Sequence, residues 1–185
     1  MLGFFNLLYY LLYKNKKVNF ILIMAKLPNG FKCDEKQKQL VKALIEELFK
    51  NYDVIFDEEN YKNEYADIDI LFTAYTKDGY FVRRYAMEIK QRLYDHNDFN
   101  GDWFIEMKKY NNLLDYQSSG YTSVYLNTFN DNTYAVWDIK DIVKNHKEGD
   151  WCMKPHTQAD YYEKPVTKHR YTVNIKDAKL MGKFS

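Results

Sequence analysis

Four side chains carry the chemistry this chain can offer: Asp67, Asp69, Glu88 and Lys90. The stretch "YFVRRYAMEIKQR", residues 80–92, reads as an apolar strand that ends in Glu88-Ile89-Lys90. Residues two apart on a strand share a face, so Glu88 and Lys90 project side by side. Upstream, "ADIDILFTAY" reads as a strand carrying Asp67 and Asp69, and "TKDGY" supplies the Asp78-Gly79 turn favoured in hairpins. Antiparallel pairing across that turn brings the aspartates close to Glu88. Asp67 and Asp69 face the same way on a strand, so position alone does not choose between them. Two carboxylates and the backbone carbonyl of Ile89 form an oxygen-rich site suited to Mg²⁺, which takes few protein carboxylates and keeps several waters. A lysine on the face of Glu88 can hold or help deprotonate a water and stabilise negative charge. These are the parts that hydrolysis of a phosphodiester requires. The plain alternative is a solvated ion pair at a strand end; the hairpin aspartates, the turn and the apolar strand argue against it.

These residues need elements to hold them. Asp34 can cap a helix over "EKQKQLVKALIEELFKNY", where Leu40, Val41, Leu44, Ile45 and Leu48 recur at helical spacing and make a core face. "YDVIFDE" is a short strand. "ILFTAY" is apolar almost throughout, as suits a strand covered on both faces. After the loop "RLYDHNDFNG", the run "DWFIEMKKYNNLLDYQSSG" reads as one amphipathic helix with Trp103, Met107, Tyr110 and Leu114 on its core face and Gly120 as its stop. "YTSVYLNTF" and "TYAVWDI" read as strands, "DIVKNHKE" as a short helix and "RYTVNI" as a last strand. The order predicts an α/β layer domain with a mixed sheet. Lys108, Lys109, Arg83 and Arg84 read as solvated charges, although a basic helix beside the site could contact phosphates.

Composition narrows the class. The chain has 185 residues, 46% of them apolar, which suits one folded domain with a real core. A net charge of +1 gives no global basic field, so an anionic partner must be met locally. Cys33 and Cys152 stand apart, and the four histidines form no metal-type spacing, which fits a reduced, cytoplasmic protein. Residues 1–23 hold the apolar runs "FFNLLYYLLY" and "VNFILIM" around "KNKK". Neither approaches the roughly 20 residues a membrane span needs, and the charge order is wrong for a secretory signal. The preferred reading is an over-extended start, with Met24 opening a single domain over 24–185; a surface anchor or an extra packing helix are the alternatives.

The hairpin "DILFTAYTKDGYFVRRYAMEIKQR", with the helix before it and the helix and strands after it, resembles the core of the PD-(D/E)xK nuclease superfamily, which includes restriction endonucleases and Holliday-junction resolvases. The resemblance spans Asp34 to Ile139. It implies a restriction endonuclease-like fold, a mixed central sheet flanked by helices, and a Mg²⁺-dependent DNA endonuclease in which Mn²⁺ can substitute. It also implies Asp69 and Glu88 as metal ligands, with the Ile89 carbonyl, Lys90 as the catalytic lysine, and Arg92 as a frequent companion. Members usually run from the aspartate straight into the apolar strand, which favours Asp69 over Asp67. Some add a glutamate from the first helix, for which Glu47 is the candidate. No proline precedes the aspartate here, a departure from the family pattern. The small size favours a structure-selective role in repair or recombination, and cutting both strands of a duplex suggests a homodimer. The competing expectation is a non-catalytic nucleic-acid-binding or structural protein on the same fold.

Overall fold

The computed structural model describes residues 32–62, 66–142, 148–153 and 166–184. The apolar start and the Met24 reading lie outside them. Along the chain run α1 (Lys32–Leu48), β1 (Tyr52–Phe56), α2 (Glu58–Lys62), β2 (Ile70–Thr76), β3 (Phe81–Gln91), β4 (Asp102–Glu106) and α3 (Met107–Ser118). Then follow β5 (Thr122–Thr128), β6 (Thr133–Asp138), α4 (Ile139–Ile142), β7 (Glu148–Met153), β8 (Val166–Asn174) and β9 (Leu180–Lys183). Two sheets form. The larger has the order β1-β2-β3-β5-β6-β9, and the smaller β4-β8-β7. In the large sheet only β3 and β5 pair in parallel, and their crossover is built from β4 and α3. The expected mixed α/β architecture is what the chain adopts.

The large sheet is covered on both faces. On one face, Val41, Leu44 and Ile45 of α1, with Phe49 beyond its end, pack on Ile70, Phe72, Tyr85, Met87, Val124 and Leu126. Phe72 and Tyr85 are register partners on β2 and β3, and their rings stack at 4.6 Å; such a pair adds about 0.5–1.5 kcal/mol beyond its buried area. On the other face lie Tyr110 and Leu113 of α3, Trp103 and Ile105 of β4, Ile139 and Ile142 of α4, and Val173 of the small sheet. Strand alternation assigns the faces of β3: Tyr85, Met87 and Ile89 look toward α1, so Glu88 looks toward α3. The β2–β3 turn uses Gly79 at φ +83°, where a side chain would be strained, and Gly120 at φ +86° stops α3 as the sequence suggests.

Several expectations change. The run "RYTVNI" is not the last strand, because β9 follows it and pairs with β6 at the edge of the large sheet. The single helix over 102–120 is a strand followed by a helix. In β4 burial alternates, with Trp103 and Ile105 inward. Its partner β8 lies more than 60 residues downstream, so helical spacing of Trp103 with Met107 was fortuitous. Asp67 and Asp69 lie in a bend before β2, not within it. Finally, α1 starts at Lys32, which places Asp34 inside the first turn.

Candidate active site

The hairpin register places the carboxylates. The last β2–β3 pair is Ile70 with Met87, so one further step along the bend sets Asp69 beside Glu88. Asp69 Oδ2 accepts the backbone N–H of Ile89 at 2.7 Å, which orients the carboxylate across the end of the ladder. Among the described residues Asp69 Oδ1 has no hydrogen-bond partner. Glu88 is 6% exposed, while Lys90, one pleat further, is exposed. Asp69, Glu88, Ile89 and Lys90 line an open cleft of about 400 Å³, closed on its flanks by Gln37 and Lys38 of α1 and by Lys109 of α3. Gln37 ties the start of α1 to the end of β5 through Thr128 Oγ1 at 2.6 Å.

Lys109 corrects the reading of this helix's lysines as solvated. Its Nζ lies 3.1 Å from Glu88 Oε1 and 3.3 Å from Oε2. Burial pushes the Glu88 carboxyl up to about 8, the neighbouring Asp69 adds to that, and Lys109 and Lys90 pull it down. For Lys109, burial lowers the ammonium, but Glu88 and Asp69 outweigh it and hold the group above its usual range. The two groups act on each other: the ammonium favours the ionised carboxylate, and the carboxylates favour the ammonium.

The other expected residues fall elsewhere. Asp67 is exposed, and its backbone carbonyl and Oδ1 accept from Asn112 Nδ2 at 3.0 and 3.5 Å, away from the cleft. Glu47 pairs with Lys50 at 3.1 Å near the far end of α1. Ten residues, or roughly 15 Å of helix, separate it from Gln37 at the cleft. Arg92 is 7% exposed and structural in its contacts: Nη2 donates to the Phe104 carbonyl and, at 2.9 Å, to Tyr125 Oη, with the Phe104 ring 4.5 Å away. Lys108 is exposed, and Arg84 donates to the Ser119 carbonyl at 3.4 Å. Gln37, Lys38 and Lys109 were not singled out for the site. Gln37 had a signal, because it continues the apolar stripe of Val41, Leu44 and Leu48 as a polar residue.

No protein-family model matches the chain, and no curated protein does. Among solved structures it is similar to Hjc, a Holliday junction resolvase from the archaeal hyperthermophile Archaeoglobus fulgidus. The identity is 12% and the TM-score 0.43, with 80% of this chain and 91% of that one covered. Among the described residues, no three His, Cys, Asp or Glu side chains gather as a metal cage. Two carboxylates in an open cleft nevertheless fit a cation that keeps most of its waters: hard oxygen donors, one already oriented by the Ile89 N–H, one buried and paired with Lys109. The described residues hold no helix long and apolar enough to cross a membrane.

Proposed function

We propose that this chain is a divalent-metal-dependent DNA endonuclease of the PD-(D/E)xK type, acting by phosphodiester hydrolysis. One observation carries the reading: Asp69 is locked on the Ile89 N–H beside Glu88, with Lys90 at the same cleft. Mg²⁺ or Mn²⁺, when bound, supplies Lewis acidity and an acidified water. Asp69 and Glu88 would hold that ion, with the Ile89 carbonyl as a further oxygen. Asp69 keeps its aim through its hydrogen bond, so little ordering cost falls on binding. Lys90 faces the same space and stabilises charge that develops on the phosphate. Its reach to solvent also lets it give a proton to bulk, so that as the neutral amine it could take one from the attacking water. DNA is the substrate class the resemblance implies, with branched or otherwise structured forms favoured, and a homodimer would supply two such sites to a duplex.

A second reading has its own support: Glu88 already has a cation, Lys109, at 3.1 Å. If that pair is permanent, the cleft is a stable polar seam in a non-catalytic nucleic-acid-binding or structural protein. Incubation with supercoiled, linear, single-stranded and branched DNA under Mg²⁺, Mn²⁺ or EDTA decides. Metal-dependent cleavage of any form supports the nuclease. Inert protein that also binds no divalent ion leaves the second reading.

A further inference from the structure

We infer that Lys109 is a displaceable counter-cation of the cleft: it balances Glu88 and Asp69 in the metal-free protein and gives up that place to a divalent ion. The displacement rests on the metal reading above; the balancing does not. Three features point to it. First, Lys109 Nζ approaches both oxygens of Glu88, at 3.1 and 3.3 Å, so the ammonium sits where a cation held by the Glu88 carboxylate would sit, in the cleft that Asp69 also lines. Second, Lys109 lies in the first turn of α3, where no acidic residue stands. A helix N-terminus disfavours a positive side chain, so the position works against α3 and is offset only by the carboxylates it faces. Third, the partners differ in freedom. The Lys109 side chain is 33% exposed and that of Glu88 8%, so the lysine can withdraw into water while the glutamate cannot.

The withdrawn ammonium has a second berth. Glu106, the residue before α3, lines a small cavity of about 50 Å³ with Glu88, Lys90 and Lys109. Glu106 itself pairs with Lys168 at 3.0 Å. Lys109 thus stands between two carboxylates, one in the cleft and one behind it. A doubly charged ion outcompetes a single ammonium at the first, and Glu106 receives the ammonium at the second. Lys109 is a positioning residue in this account, acting on metal occupancy through Glu88 rather than on the reacting atoms.

The test uses the full chain and four forms: wild type, Lys109→Met, Glu88→Gln and the double variant. Thermal unfolding without metal reads the balancing; calorimetric titration with Mn²⁺ reads the displacement. Lys109→Met is expected to lower the metal-free Tm in the wild-type background but not in the Glu88→Gln background. It is expected to tighten Mn²⁺ roughly tenfold, within the usual range of site coupling. Mn²⁺ affinity unchanged or weakened in Lys109→Met overturns the inference while leaving the metal reading intact. Wild type that binds no Mn²⁺, with the Tm coupling present, overturns the metal reading and the displacement together, and leaves a fixed ion pair. Should Lys109→Met not fold, Lys109→Arg carries the test. Its fork grips a carboxylate more firmly, so Mn²⁺ should bind several-fold more weakly, and equal or tighter binding overturns the inference.

Discussion

Glu88 and Arg92 are both nearly buried charges, four residues apart at the end of β3, and the fold treats them in opposite ways. Arg92 is anchored through Nη2, which donates to the Phe104 carbonyl and Tyr125 Oη, and its guanidinium lies over the Phe104 and Trp103 rings, although among the described residues its buried Nε has no hydrogen-bond partner. Glu88 opens onto a cleft, has another carboxylate beside it, and keeps its proton far above the usual carboxylate range. Burying a charge without full compensation is expensive. Arg92 meets that cost with fixed contacts inside the protein. Glu88 leaves it partly unmet, as groups awaiting a ligand do.

The largest expected effect breaks the comparison on the Glu88 side. Glu88→Gln should lower metal-dependent cleavage on the order of 10³-fold, since transition-state charge stabilisation in a preorganised site has about that magnitude. Metal-free stability should stay within about 1 kcal/mol, because the amide removes the cost of burying a charge while the partly exposed Lys109 that loses its partner can turn to water. Cleavage rates beside thermal melts check both halves. A variant that melts much earlier would make Glu88 a structural residue like Arg92.

Arg92→Met should do the reverse. Losing charge-assisted bonds to Phe104 and Tyr125 should cost about 3 kcal/mol of folding stability. Mn²⁺ affinity, measured well below the melting temperature, should change only a few-fold. Lys90→Ala sharpens the contrast further, because it removes a charge that faces solvent. Cleavage should fall on the order of 10²-fold, while DNA binding with Ca²⁺ in place of Mg²⁺ should hold within a few-fold, one lysine being a small part of phosphate affinity.

The contrast also explains what could be read in the sequence. The β2–β3 hairpin was legible because its signals are local: an Asp-Gly turn, an apolar run and a period of two. Glu88 beside Asp69 follows from that hairpin's register alone. The role of Arg92 was not legible, since Phe104 and Tyr125 come from β4 and β5 and meet it only through the crossover. Lys109 was missed for a related reason. Reading 102–120 as one helix puts it mid-helix among exposed charges. Only the break at Met107 places it in a first turn facing Glu88. The burial alternation of β4, with Trp103 and Ile105 inward, is hidden in the sequence by the apolar Phe104 between them, and its partner β8 lies beyond local pattern.

A hydrogen-bonded pair nearer the surface extends the comparison. His96 Nδ1 and Asp131 Oδ2 meet at 2.5 Å beside the β5–β6 turn. Burial raises the Asp131 carboxyl, but His96 and the Thr133 hydroxyl and N–H more than offset it and hold Asp131 below the usual carboxylate range. A depressed folded pKa adds stability that is present above the unfolded value, near 3.9, and is lost as pH falls through the folded one. Asp131→Asn should therefore flatten the acid limb of a Tm-against-pH curve below about pH 4. An unchanged limb would mean the pair contributes nothing to acid stability.

Asp67 is where the smallest effect is expected, and it separates the two aspartates that sequence position could not. Both precede β2, but the bend at 67–69 turns them apart. Asp69 reaches the Ile89 N–H, whereas Asp67 meets Asn112 at the surface. The Asp67 backbone carbonyl, which a substitution keeps, takes the shorter of the two Asn112 contacts, 3.0 Å against 3.5 Å. Asp67→Asn should thus cost under about 0.5 kcal/mol, as surface changes usually do, and leave Mn²⁺ affinity within two- to three-fold. Asp69→Asn should weaken Mn²⁺ far more, since an amide leaves the ion's charge less compensated. Calorimetric titration of both variants measures the ratio. Equal losses would mean that both carboxylates share one ion, and that the bend rearranges when metal binds.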